Sequence, residues 1–136
     1  MTKDQKLRSF FSKDRFAAHA GIEVVKVSDG YCLCRMKVED KHLNAVNVVQ
    51  GGAIFTLADY AFAIASNSRG QIALAVHADI SFIAGRSSGI LYAEACETAD
   101  PRRLGFYEVK VTDQDDETVA RFTGMVYRKN QVLNLD

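Results

Sequence analysis

A lone carboxylate stands in the middle of the most apolar segment of this chain, eight residues after a pair of glycines. The segment reads Gln50-Gly51-Gly52-Ala53-Ile54-Phe55-Thr56-Leu57-Ala58-Asp59-Tyr60-Ala61-Phe62-Ala63-Ile64-Ala65, and from Ala53 to Ala65 only Thr56, Asp59 and Tyr60 carry a polar side-chain atom. A helix that is apolar nearly all round is a buried helix. A carboxylate on it needs a charged or hydrogen-bonding partner, or it takes up a proton. That cost marks Asp59 as a candidate catalytic carboxylate. The plainer alternative is a buried acid that fixes the helix register through bonds to nearby backbone.

The elements that position this segment follow from periodicity and turn chemistry. Asp4 to Ala18 reads as a short amphipathic helix, with Leu7, Phe10, Phe11 and Phe16 on one face and Gly21 ending it. Ile22 to Val27 and Tyr31 to Val38 read as strands of a hairpin around the turn Ser28-Asp29-Gly30. Glu39 to Gln50 has no clear period and is read as a loop. The helix starting at Gly51 is stopped by Asn67-Ser68-Arg69-Gly70. Four strands follow: Ile72 to Ile83, Leu91 to Thr98, Phe106 to Thr112 and Thr118 to Arg128. The short turns between the later ones require antiparallel neighbours. The fold class expected is α+β, an antiparallel sheet curved around one long helix, in a single domain spanning 1–136 with an N-terminal helix within 1–20 and the central helix at 51–67.

Composition removes several classes of function. Of the 136 residues, 48% are hydrophobic and 25% charged, and the formal net charge is zero, so a globular protein is expected and electrostatic nucleic-acid binding is not. The apolar run of the central helix is interrupted by Asp59 and is too short to cross a bilayer, and Met1 to Arg15 holds no apolar stretch suited to a signal peptide. Cys32, Cys34 and Cys96 form no disulfide framework and fit reduced thiols in the cytoplasm.

The string from Asn44, five residues, then Gln50-Gly51-Gly52 and the helix Phe55-Thr56-Leu57-Ala58-Asp59 resembles the signature of hot-dog-fold acyl-CoA thioesterases of the phenylacetate-degradation (PaaI) type. That signature is an asparagine, a loop, His-Gly-Gly, and a helix bearing Phe-x-Leu-Ala-Asp. Ala61-Phe62-Ala63 and Ser66-Asn67-Ser68 resemble it too, and the element order matches the hot-dog fold from about Gly21 to Arg128. The chain departs from the pattern at Gln50, where a histidine is usual, and at Asn47, where a glycine is usual. Glutamine can position a group by hydrogen bonding but cannot gain a proton near neutral pH. The hydroxyl that family members often carry after the helix is missing from Ala73-Leu74-Ala75-Val76.

The resemblance implies hydrolysis of an acyl-CoA thioester to a free acid and coenzyme A, with no cofactor or metal. Thioester hydrolysis builds negative charge on the carbonyl oxygen, which a backbone N–H at a helix N-terminus stabilises. Gly51 is then the oxyanion donor, Asp59 the general base or nucleophile, and Asn44 and Gln50 position water and substrate. Gly52 and Phe55 are candidate substrate contacts, with Tyr60 and Phe62 beside Phe55 in the acyl pocket. Arg86, or else Arg102 or Arg103, is the candidate for the coenzyme A phosphates.

Geometry adds a constraint. Gly51 and Asp59 lie about 12 Å apart along one helix at roughly 1.5 Å per residue. One thioester carbon cannot reach both, so the site is expected to combine Gly51 and Asn44 of one protomer with Asp59 of another across a two-fold interface. A homodimer is the minimal unit expected and a homotetramer the expected assembly. The rival reading is a non-catalytic acyl-CoA-binding module that keeps the fold, which Gln50 keeps open; a hot-dog dehydratase would want a histidine that this helix does not offer. Cys32 and Cys34 read as buried thiols rather than metal ligands, and His77 with Asp79 as a structural pair on one strand face.

Overall fold

The computed structural model describes all 136 residues, Met1–Asp136. The chain opens with two short helices, α1 (Lys3–Phe11) and α2 (Arg15–Ala20). One helix was expected here. Asp14 breaks it, because its side chain accepts the Ala17 N–H and so begins a new helix as an N-cap. Phe16, expected on the covered face, is instead 74% exposed.

Strands β1 (Ile22–Ser28) and β2 (Tyr31–Lys37) form the expected hairpin, followed by a single 3₁₀ turn at Asp40–His42. Helix α3 occupies Gly51–Asn67, and β3 (Gln71–Phe82), β4 (Ile90–Ala99), β5 (Leu104–Thr112) and β6 (Thr118–Val132) complete one sheet. Its order is β1-β2-β4-β5-β6-β3, antiparallel throughout. No helix is long and apolar enough to cross a membrane.

Side-chain alternation decides which sheet face meets the helix. On β5, Tyr107, Val109 and Val111 are buried while Glu108 and Lys110 face out. Small residues on the neighbouring strands let α3 approach closely: Ala93 and Ala95 on β4 are fully buried. On β6, a Cβ added to Gly124 would stand 2.6 Å from the Phe62 ring. Phe62 fills that space, tilted against Phe122 and edge-on to Tyr107 at centroid distances of 5.4 and 5.6 Å.

Helix α3 is not buried all round. Leu57, Ala58, Ala61, Phe62, Ile64 and Ala65 face the sheet, whereas Gly52, Phe55, Thr56, Asp59 and Ala63 keep a partly open stripe along the other side. The C-terminal end of the helix is tightly held. The Asn67 carboxamide donates to the carbonyls of Ala63 and Ala73 and accepts the Ala73 N–H at 2.9 Å, tying the helix to β3. Ser68 Oγ accepts the Gly30 N–H at 2.8 Å, tying it to the β1–β2 turn. Ser66-Asn67-Ser68 is thus a capping and anchoring element.

Beyond it, Arg69 and Arg128 share the Glu97 carboxylate with the Tyr107 hydroxyl, and Arg128 also pairs with Asp100 at 2.6 Å. Burial opposes the charge on Glu97, but the bonds from Arg69 and Tyr107 outweigh it and hold its carboxyl below the usual range.

Candidate active site

The site is built from the loop before α3 and the start of that helix. Asn44 shapes the loop: its Oδ1 accepts the N–H groups of Val46 and Val48 at 3.0 and 3.1 Å, and its own N–H donates to the Val48 carbonyl. Asn47 closes the turn with a left-handed φ of 61°. Asparagine tolerates that conformation better than most residues, which explains how it can stand where the resemblance expects glycine. With the Asn44 oxygen occupied, only its Nδ2 is free, so any part it takes with substrate or water is as a donor.

The loop is stitched down at its far end as well. Val49 N–H donates to the Arg86 carbonyl and Gln50 N–H to the His42 carbonyl, at 2.8 and 2.7 Å. Gln50 is the N-cap residue of α3, yet its side chain makes no capping bond. The first N–H in the helix to find a backbone acceptor is that of Ala53, which donates to Gln50 O. The N–H groups of Gly51 and Gly52 therefore have no acceptor in the chain, at the positive end of a 17-residue dipole.

The two glycines differ in what requires them. A Cβ on Gly51 would stand 3.1 Å from the Phe82 ring of β3, a packing requirement. A Cβ on Gly52 would meet only the flexible Gln50 carboxamide. Close packing is a requirement at Gly51 and not at Gly52.

A cleft of about 890 Å³ opens over this region. Asn44, Gln50, Gly52 and Phe55 of the expected set line it, together with Thr56, whose hydroxyl donates to the Gly52 carbonyl at 2.7 Å. Tyr60 and Phe62, expected beside Phe55, do not: they are 6% and 1% exposed and point into the core, the Tyr60 hydroxyl donating to Phe11 O. Phe16, His19 and Lys41 from the N-terminal half also line the cleft. Sequence patterns missed these, since nothing local links α2 to the loop before α3.

His42 lies in the cleft wall but is buried and locked. Its Nδ1 accepts the Glu39 N–H and its Nε2 bonds the Ala20 carbonyl at 2.7 Å, so the ring carries its proton on Nε2 and neither nitrogen is free for proton transfer.

Asp59 sits further along the open stripe of α3, outside the walls of this cleft. Its carboxylate accepts no hydrogen bond within the chain, so it is not a register-fixing acid. Burial first, and then the negative charge of Asp14, push its carboxyl above the ordinary range.

Arg86 takes no part in the cleft. Its guanidinium is held by Asp113 at 2.9 Å and Glu117 at 3.0 Å, which compensate the charge expected to meet phosphate. The 113–117 turn is organised by a buried Asp113. The Glu117 N–H outweighs the cost of its burial, and Arg86 and the Asp115 N–H add to hold that carboxyl below the usual range. Cys32 and Cys34 are buried free thiols 3.6 Å apart, and His77 pairs with Asp79 at 3.3 Å on an exposed face.

One helix wrapped by a six-stranded antiparallel sheet, with Gly52 at the helix start lining a cleft, defines the hot-dog class of fold. Residues 46–120 match the thioesterase superfamily; the chain belongs to that family and is a thioester hydrolase. It is 32% identical over 125 residues to the acyl-coenzyme A thioesterase PaaI of Escherichia coli, an alignment covering 91% of this chain and 89% of that protein. Superposed on the E. coli PaaI structure it gives a TM-score of 0.90 at 29% identity, covering 98% of this chain and all of that one. A Streptococcus mutans protein, smu.793, solved with acetyl-CoA bound, is similar at a TM-score of 0.78 and 25% identity, over 83% of this chain and 91% of its own.

Proposed function

We propose that the chain hydrolyses an acyl-CoA thioester to the free carboxylic acid and coenzyme A, at a site shared by two subunits. The observation that carries this reading is the pairing of unbonded Gly51 and Gly52 N–H groups, Gly52 lining the cleft and Gly51 standing just behind it, with an unpartnered Asp59 carboxylate on the open stripe of the same helix. Gly51 N–H donates to the thioester oxygen as it becomes an oxyanion. Asn44 Nδ2 and the Gln50 carboxamide hold the water or the carbonyl. Asp59 of the second subunit takes the proton as water adds to the carbonyl carbon, the C–S bond breaks, and the thiolate of coenzyme A leaves and is protonated. Alternatively Asp59 attacks directly and water cleaves the resulting anhydride. Neither route uses a metal or cofactor.

The two-subunit arrangement has support in β3. It is an edge strand with a free outer edge, and Leu74, Val76 and Phe82 on it are exposed. An exposed apolar edge is a template for pairing with a second copy. The working unit is then a homodimer, and the three free thiols suit a cytoplasmic setting.

The test is thiol release from aromatic and aliphatic acyl-CoAs, wild type beside Asp59→Asn. Turnover that falls at least about a hundredfold in the variant, with the oligomer intact, is expected for the loss of a general base. Absence of turnover on every thioester, with tight acyl-CoA binding by both proteins, would overturn the enzyme in favour of a binding module.

A further inference from the structure

The cleft wall holds two chemically different groups. Asn44, Gln50 and Gly52 present neutral hydrogen-bonding groups; Phe16 and His19 of α2 and Lys41 present an aromatic ring, an imidazole and a cation, with Lys41 bonded to His19. No carboxylate lines it. Lys41 Nζ donates to the neutral His19 carbonyl at 2.7 Å and has no carboxylate within ion-pairing distance, its sequence neighbours Glu39 and Asp40 included. Its charge is uncompensated, in contrast to that of Arg86. Phe16 is 74% exposed although the next residue, Ala17, is 1% exposed, so α2 anchors itself through Ala17 and turns an aromatic ring outward at the cleft. Phe16, His19 and Lys41 all lie outside the residues that match the family.

We propose that the part of the cleft lined by Phe16, His19 and Lys41 receives the nucleotide portion of the coenzyme A thioester, Lys41 pairing with its phosphates and Phe16 stacking on the adenine. A free ammonium in a wall without acidic groups is a point-charge receptor for phosphate. A rigid exposed ring is a stacking surface for a purine, whichever edge the base presents. The acyl thioester is thereby left to Gly52, Asn44 and Gln50. This assignment rests on the thioesterase reading for its substrate, yet it can be tested separately.

The experiment compares one acyl group carried by coenzyme A and by N-acetylcysteamine, which has the thioester but no nucleotide, in wild type, Lys41→Gln, Lys41→Arg and Phe16→Ala. Adenosine 3′,5′-bisphosphate serves as inhibitor and as a calorimetric ligand. Losing one phosphate pair, Lys41→Gln is expected to lower the preference for the coenzyme A thioester about tenfold, through KM, and to weaken the bisphosphate about tenfold. Lys41→Arg should restore both, and Phe16→Ala should weaken the bisphosphate without the salt dependence seen for Lys41. Unchanged preference and unchanged bisphosphate affinity in Lys41→Gln and Phe16→Ala would overturn the proposal. So would an equal loss on both thioesters, which would make Lys41 a brace for α2 through its bond to His19. If wild type cleaves neither thioester but binds the bisphosphate in a Lys41-dependent way, the thioesterase reading fails and the nucleotide site stands.

Discussion

The two ends of α3 are treated in opposite ways. At the C-terminal end, Asn67 and Ser68 bond to β3 and the β1–β2 turn, and Arg69 joins Arg128, Tyr107 and Glu97 in a closed polar network. At the N-terminal end, two backbone N–H groups have no acceptor, the capping side chain is unused and the wall nearby carries an uncompensated lysine. Buried polar groups are normally satisfied. A helix that ties one end into the sheet and leaves the other open has an anchor and a site. The open end is held in place by its flanks, through Asn44, Val49 and Gln50, so its unmet hydrogen bonds are preorganised rather than loose.

This contrast is broken most severely at the anchor. Arg128→Met removes a buried guanidinium together with its bonds to Glu97, Asp100 and the Leu104 carbonyl, a loss of roughly 2 kcal/mol although Glu97 keeps Arg69. Urea denaturation should show that loss while thiol release per folded molecule holds; loss of turnover at unchanged stability would erase the distinction between the ends.

A smaller effect is expected from Gly51→Ala, whose Cβ meets the Phe82 ring at 3.1 Å. Overpacking there costs about 1 kcal/mol or more, and displacement of the helix start should lower turnover about tenfold. Gly52→Ala displaces only the Gln50 side chain and should leave the denaturation midpoint within about 0.5 kcal/mol. Equal destabilisation by both would show that Gly52 is packed as tightly as Gly51.

The subtlest test is by pH. Burial and Asp14 raise the Asp59 pKa, and a base works deprotonated, so the acid limb of kcat/KM should lie above that of an ordinary carboxylate. Asp14→Asn keeps a capping side chain but removes the charge, and should move that limb to lower pH. The same raised value means that the folded state holds the proton more tightly than the unfolded chain does. Ionised Asp59 therefore costs stability at neutral pH, and Asp59→Asn should raise the thermal midpoint there. That gain should shrink as pH falls through the raised pKa; a variant no more stable than wild type at neutral pH would mean that Asp59 is not strained by its surroundings.

Much of the scaffold was legible in the sequence. Helix α3 runs from Gly51 to Asn67 as its Gly-Gly start and Asn-Ser stop indicate, and β5 alternates as its residues do. What could not be read has physical causes. An apolar helix carries no polar face to orient it, so Phe55 could not be separated from Tyr60 and Phe62, which turn inward. Asp14 looks like a surface residue of one helix until its bond to Ala17 shows it starting another. The partners of Arg86 lie 27 and 31 residues away, beyond any local pattern. The same holds for the cleft, whose lysine, aromatic ring and glycine come from three separate segments.

The strand order also dictates when the molecule can complete itself. β3 pairs only with β6, from Phe82 with Ala120 to Gln71 with Val132, so its sole neighbour is the last strand to be made. On a ribosome adding about 5–20 residues per second, β3 must wait seconds for that partner, with the backbone groups that β6 will pair left open. The nascent chain is most vulnerable to association with other chains in this interval, which the pairing of β6 with β3 ends.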